Sequence, residues 1–270
     1  MINFSELIWK PEQPKARPTT AFASPASEQP LEASHLGEIP VEEVQIKPER
    51  RIALLTDPRS PGADRFRFLR MRLRELKDAA KLQSLLITSA LPQDGKTTIA
   101  LNLATALAEG GKRTVLLIEA DLYHPSVAQR LELKMQPGLG ECLEEGLEPL
   151  TMLRRLEPLG WYFLAAGSVR GNPTELLQSE ALADVMKKVR PHFDWILIDT
   201  PPVAPLTDAV SLSKHVDASL LVVRADRTPQ EAVKGALALL GPKNVLGIVF
   251  NAAEGLNRLY SKYYGYYGKK

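Results

Sequence analysis

Residues 84–110 read SLLITSALPQDGKTTIALNLATALAEG, and this stretch decides the fold. Leu85, Leu86 and Ile87 form a short apolar run that suits a buried strand. The run stops at Thr88-Ser89, and a polar turn leads to Gly95-Lys96-Thr97-Thr98. Ile99, Leu101, Leu103, Ala104 and Leu107 then recur at helical spacing. Strand, phosphate-sized loop and helix start is the layout of a P-loop. Gly95 lets the backbone come close to phosphate oxygens, and Lys96 neutralises charge on the β and γ phosphates. The Thr97 hydroxyl is placed to bind Mg²⁺, and the helix N-terminus offers unpaired N–H groups. The first glycine of the general GxxxxGK[ST] pattern is Ala90 here.

Two later strands point to the same chemistry. Residues 113–121, RTVLLIEAD, form a continuous apolar run that suits a strand buried on both faces and ends in Glu119 and Asp121. Ligands of parallel sheets sit at the carboxyl ends of strands, so both carboxylates are expected near the phosphates, beside Mg²⁺. Trp195-Ile196-Leu197-Ile198-Asp199 reads as a Walker B strand, with Asp199 expected to hold Mg²⁺ through water and Pro201 and Pro202 ending the strand. Further strands are expected over 161–166, 218–223 and 245–250, the last ending in Asn251. Helices are expected from Asn172-Pro173-Thr174-Glu175, over 181–189, 206–214 and 228–240. Alternation of strands and helices from 84 to 251 predicts an α/β fold with a doubly wound, mainly parallel sheet.

The remainder of the chain divides into three. Prolines recur at 11, 14, 18, 25, 30, 40 and 48, so residues 1–50 are expected to be a disordered, Pro-rich segment. Its small apolar cluster, Phe4, Leu7, Ile8 and Trp9, is either a docking peptide or an incidental patch. Residues 51–251 make the P-loop domain. Residues 61–78 read as its first strong helix, with Phe66, Leu69, Leu73 and Leu76 on one stripe and Arg67, Arg70, Arg74 and Lys77 on another. The basic stripe is a solvated face or an intersubunit contact. Residues 252–270 form a tail expected to be flexible, in which Tyr260, Tyr263, Tyr264, Tyr266 and Tyr267 cluster without aliphatic residues after Leu259. That cluster reads as a phospho-acceptor, a sticky aromatic tail or a nucleic-acid stacking segment.

Composition narrows the class. The net charge of +2 gives no strong polyanion-binding signal. A single cysteine, Cys142, excludes an intrachain disulfide framework, suits a reducing cytoplasm and reads as a half-buried apolar filler. No apolar run approaches the ~18–20 residues that span a bilayer, and the N-terminus lacks the features of a signal peptide. A cytoplasmic protein that reaches a membrane only through a partner is expected.

Taken together, these features over residues 51–270 resemble the bacterial tyrosine kinases that regulate capsule and exopolysaccharide synthesis. The resemblance is carried by Pro92 four residues before Lys96, Ala90 in place of glycine, and Glu119-Ala120-Asp121 as a Walker A′ motif. ILIDTPP as Walker B, NPTELL, and Val222-Val223-Arg224 with Thr228 add to it. Asp64-x-x-Arg67-x-x-Arg70 is similar to the family's oligomerisation motif, and the tyrosine cluster sits where its autophosphorylated tail sits. The resemblance implies nucleotide contacts from Pro92, Gln93, Asp94, Gly95, Lys96, Thr97, Thr98, Arg224 and Asn251, and Mg²⁺ contacts from Thr97 and Asp199. It implies catalysis by Lys96, Glu119, Asp121 and Asp199, with Asp121 or Glu119 orienting or deprotonating a tyrosine from a neighbouring subunit of a ring-like homo-oligomer. ATP and Mg²⁺ are the implied cofactors, and a separate transmembrane adaptor of the polysaccharide machinery is the implied partner. Phosphates on the tail would turn it acidic and are expected to disassemble the ring.

The sequence also departs from the family pattern. Glu119 replaces the first aspartate of Walker A′, Tyr123 stands where an arginine is common, and Asp64 shortens the oligomerisation acid. These departures keep a nucleotide-binding scaffold without transfer as an alternative. A partition-type ATPase switch is a second alternative, opposed by Leu91 at the position of its extra lysine.

Overall fold

Side chains of a strand alternate between two faces, and that alternation sorts the apolar residues of this chain into two cores. The computed structural model describes residues 36, 38–205 and 207–253. In chain order the first elements are β1 (Val41–Glu43), α1 (Ala53–Thr56), α2 (Pro61–Ala80), β2 (Ser84–Ser89), α3 (Lys96–Ala108) and β3 (Val115–Glu119). There follow α4 (Val127–Leu131), α5 (Leu139–Glu145), β4 (Arg154–Glu157), β5 (Trp161–Leu164), α6 (Pro173–Gln178) and α7 (Glu180–Val189). The last are β6 (Trp195–Asp199), α8 (Asp208–Leu212), β7 (Ala218–Arg224), α9 (Gln230–Leu240) and β8 (Val245–Asn251).

The strands form one eight-stranded sheet in the order β1-β4-β5-β3-β6-β2-β7-β8. All neighbours from β5 to β8 are parallel. Only β4 and β1 run the other way, with β4 antiparallel to β5 and β1 parallel to β4. On one face, Leu85, Ile87, Leu117 and Leu197 pack with Leu73 of α2 and with Leu101, Leu103 and Leu107 of α3. On the other, Leu86, Ile118, Ile196 and Ile198 pack with side chains of α5, α6, α7, α8 and α9. This is the doubly wound α/β architecture expected from the alternating pattern.

The edge bearing β1 corrects the reading of residues 1–50 as wholly disordered. Val41–Glu43 pair with β4, Ile39 and Val44 are buried, and a 3-10 turn at Pro48–Arg50 buries Arg50. The prolines bracket this strand instead of interrupting it. The Pro40 carbonyl accepts from Arg155 N at 2.9 Å, and Val44 N donates to Glu157 O at 2.7 Å. Residues 1–35 lie outside the described residues, and with them the cluster of Phe4, Leu7, Ile8 and Trp9. Cys142 is also corrected, from half-buried to buried. Desolvation, then the charges of Glu141 and Glu148, push its thiol up to about 11.

Candidate nucleotide site at the carboxyl ends of the strands

Parallel packing delivers six strand ends to one edge of the sheet: Ser89, Glu119, Leu164, Asp199, Arg224 and Asn251. Register sets them side by side, with Glu119 opposite Asp199 and Arg224 opposite Asn251. The loop from Leu91 to Gly95 joins β2 to α3 above this edge. Gly95 has a φ of +99°, and a Cβ there would lie 2.0 Å from Asn251 Nδ2. Glycine is therefore required both by the backbone and by the space.

Asp94 braces the loop from within. Its buried carboxylate accepts from Leu91 N at 3.1 Å and from Thr228 Oγ1 at 2.8 Å. Its carbonyl accepts from Asn251 Nδ2 at 2.9 Å. Thr228 Oγ1 in turn accepts from Arg224 N at 3.0 Å, so β7, β8 and the loop are tied together. Outside the loop, Arg224 Nη1 donates to Gln93 O and Arg227 Nη2 to Gln93 Oε1, both at 3.4 Å. Pro92 is exposed in the same loop. The first backbone bond of α3 is Ile99 N to Gly95 O, so among the described residues the amides of Lys96, Thr97 and Thr98 have no backbone acceptor. They are the open N–H groups of a helix start that P-loops direct at phosphate.

The charged groups meet just behind these amides. Lys96 Nζ lies 3.1 Å from Asp121 Oδ2, and Asp121 Oδ1 accepts from His124 N at 3.0 Å. Asp199 is fully buried, and its Oδ2 accepts from Thr97 Oγ1 at 2.8 Å. Burial pushes the Asp199 carboxyl up to about 7, against the pull of the Lys96 charge and the Thr97 hydroxyl, with Glu119 and Asp121 adding to the rise. Glu119 is fully buried too, and its Oε1 accepts from Ser126 N and Val127 N at the start of α4, both at 2.5 Å. Burial raises its pKa, and these amides oppose the rise. Ser126 Oγ lies 3.1 Å from Thr97 Oγ1, and Arg130 Nη1 donates to Thr98 Oγ1 at 3.0 Å.

The donor set fits a magnesium–nucleotide complex. Asp199 Oδ1 and Glu119 Oε2 are buried without a hydrogen-bond partner, Thr97 offers a hydroxyl beside Asp199, and Lys96 is the cation among them. Such a hydroxyl and carboxylate, completed by phosphate oxygens and water, suit Mg²⁺. Among the described residues no group of three or more His, Cys, Asp or Glu side chains could hold a metal unaided.

Several expected residues thus share one site: Gln93, Asp94, Gly95, Lys96, Thr97, Thr98, Glu119, Asp121, Asp199, Arg224 and Asn251. The side chain of Asp94 faces the loop's own bonds, and that of Glu119 faces the start of α4. Asp64, Arg67 and Arg70 lie on α2 instead. Asp64 pairs with Arg67 at 2.8 Å, and Arg70 Nη1 donates to Ala106 O at 3.3 Å within its own chain. The tail tyrosines lie outside the described residues. Sequence reasoning gave no role to Ser126, Arg130, Arg227 or Thr228. It also missed Asp208, which is buried, raised in pKa by burial, and accepts from Thr174 Oγ1 at 2.8 Å. Thr174 Oγ1 lies 3.0 Å from Tyr123 Oη. The only signal for Thr228 was its place in the Val222-Val223-Arg224 motif.

A P-loop, a Walker A′ strand and a Walker B strand on a doubly wound sheet define a P-loop NTPase. A family model described as ParA: NUBPL iron-transfer P-loop NTPase matches residues 83–258. The chain is 33% identical over 228 residues to tyrosine-protein kinase YwqD of Bacillus subtilis, covering 82% of this chain and 93% of that one. It is 34% identical over 227 residues to the succinoglycan biosynthesis transport protein ExoP of Rhizobium meliloti, where it covers 77% of this chain and 29% of the relative. The kinase domain of Escherichia coli tyrosine kinase ETK aligns with a TM-score of 0.71 at 25% identity, covering 84% of this chain and 94% of that domain. The chain belongs to the bacterial P-loop tyrosine kinases, within the wider P-loop NTPases.

Proposed function

We propose that this protein is an ATP-dependent tyrosine kinase that phosphorylates the tail tyrosines of neighbouring copies, Tyr260, Tyr263, Tyr264, Tyr266 and Tyr267. The observation that carries the reading is the meeting of Lys96, Asp121, Thr97 and Asp199 at the mouth of the P-loop. In this reading the open amides of α3 and Lys96 hold the phosphates, while Thr97 and Asp199 hold Mg²⁺. Bound Mg²⁺ would neutralise phosphate charge. Asp121, held by Lys96 and His124 N, is placed to orient an incoming tyrosine hydroxyl or take its proton. Phosphoryl transfer needs alignment and charge neutralisation above all, and these residues supply both.

The names of relatives such as ExoP support a role in exopolysaccharide or capsule production. No described helix is long and apolar enough to cross a membrane, so in this reading a separate transmembrane partner recruits the kinase. Asp64, Arg67 and Arg70 would join copies into a ring. A scaffold without transfer is favoured by one observation alone: the Glu119 carboxylate is engaged by α4 amides.

Mixing separates these readings. A chain shortened after residue 253 is incubated with Mg-ATP and full-length Lys96→Met, and phosphotyrosine is mapped. Label on the tail of the Lys96→Met partner, absent from that variant alone, is the expected result. Nucleotide binding without label on either chain would leave the scaffold.

A further inference from the structure

Arg130 lies one turn into α4, outside every motif that defines the family here. Among the described residues its side chain forms no ion pair, and that side chain's one hydrogen bond is from Nη1 to Thr98 Oγ1 at 3.0 Å. A mobile arginine gains little from a neutral hydroxyl, because ordering its long side chain opposes the bond. A favourable interaction with the end of α4 does not account for the pose either. The helix has only five residues, and the guanidinium reaches α3.

The platform beneath Arg130 is built to hold it there. Val127 and Leu131 are buried in the core, Glu119 fixes the amides of Ser126 and Val127, and Ser126 Oγ meets Thr97. The α4 helix is thus fastened to the P-loop at consecutive threonines. Thr98 also carries the third open amide of α3, one residue beyond the threonine expected to bind Mg²⁺. Lys96 is the cation acting on the Asp199 carboxylate, against Glu119 and Asp121, and Arg224 and Arg227 sit across the loop on Gln93, so the Thr98 side of the cradle has room for another cation. Four N–H donors of the guanidinium stay available for a planar, two-point grip on phosphate oxygens.

We infer that Arg130 is a nucleotide-binding residue: carried by α4, it closes the phosphate cradle at Thr98 and contacts phosphate oxygens that ADP and ATP have in common. Lys96 serves the β and γ end of the cradle, and Arg130 the end nearer the nucleoside. Glu119 is then a positioning residue, acting through α4.

The inference rests on nucleotide binding as proposed above, and the test keeps the two apart. Wild type, Arg130→Ala and Arg130→Lys are titrated with Mg-ADP and with a non-hydrolysable Mg-ATP analogue, at low and high salt, and the free proteins are melted. Arg130→Ala is expected to bind both nucleotides about 5–20-fold more weakly, to the same degree, as one exposed charge-assisted contact implies. Arg130→Lys should recover part of the loss, and the difference should shrink at high salt. Equal affinity of Arg130→Ala and wild type, loss confined to the triphosphate, or a large drop in the melting temperature of the free Arg130→Ala protein would each overturn it. A wild type that binds neither nucleotide would instead remove the proposed function itself.

Discussion

Replacing Glu119 by aspartate restores the residue type that the family resemblance leads one to expect, yet the structure predicts a loss. The carboxylate sits on two backbone amides, Ser126 N and Val127 N, both at 2.5 Å. Aspartate draws it back by one carbon–carbon bond, about 1.5 Å. Neither side can follow. β3 is locked by pairing with β6 and by Ala120 N to Asp199 O at 2.8 Å, and α4 is locked by the buried Val127 and Leu131. Both bonds then stretch past hydrogen-bonding range. A hydrogen bond contributes about 0.5–1.5 kcal/mol net, and one to a charged group about 1.5–3 kcal/mol, so about 2–4 kcal/mol is expected for the pair. For a domain of this size that corresponds to a fall of about 5–15 °C in melting temperature. Exchange of the α4 amides should quicken by about 30-fold or more, and nucleotide binding should weaken with it. Thermal melts and amide hydrogen exchange of Glu119→Asp against wild type are the assay. An unchanged melting temperature with unchanged protection of Ser126 and Val127 would refute the view that Glu119 anchors α4.

In the proposed reading Asp199 loses its proton to ligate Mg²⁺, so affinity for Mg-ADP should rise about tenfold from pH 6 to pH 8, given a carboxyl near 7. Titrations in buffers of different ionisation enthalpy should show proton release, and Asp199→Asn should lack that component. In the free protein the raised carboxyl has the opposite effect: its contribution to stability is greatest below about 4, the usual aspartate range, and falls as pH rises towards 7. Gly95→Ala places a Cβ 2.0 Å from Asn251 Nδ2 at a φ of +99°, so it should abolish measurable Mg-ADP binding and destabilise the fold by about 1–3 kcal/mol. Adding Asn251→Ala should recover part of the stability, because it removes the clash and leaves the backbone strain and the lost bond from Asn251 Nδ2 to Asp94 O; a double variant no more stable than Gly95→Ala would contradict that. Full tail phosphorylation, at about −1.5 to −2 charges per tyrosine, should lower the oligomer mass in light scattering, and an unchanged mass would count against charge-driven disassembly.

The long buried strands were legible because burial on both faces leaves a continuous apolar run, as in Leu85–Ile87 and Trp195–Ile198. The two short strands at the β1 end of the sheet were not. β4, RRLE, carries three charged residues in four, and β1 is three residues inside a Pro-rich region, so neither yields a hydrophobic period. Both are held by tertiary pairing. The P-loop and the Walker carboxylates were legible for a chemical reason, since phosphate and Mg²⁺ demand those residue types at those spacings. What the sequence could not convey was direction. Asp94 and Glu119 were expected to serve nucleotide or metal; the Asp94 carboxylate braces the loop, and Glu119 gives Oε1 to the start of α4 while its Oε2 is left without a partner. Arg130 and Thr228 belong to the site only because distant segments fold against the P-loop. No local pattern announces the Arg130 contact, and for Thr228 only the Val222-Val223-Arg224 motif did.

The central claim is transfer of phosphate to the chain's own tail, and intact mass tests it most directly. Wild type and Lys96→Met are incubated with Mg-ATP, and added phosphates are counted and mapped. Several phosphates are expected on wild type, confined to Tyr260–Tyr267, none on Lys96→Met, and none once those tyrosines are removed. A wild type that binds Mg-ATP and gains no mass would contradict the kinase reading.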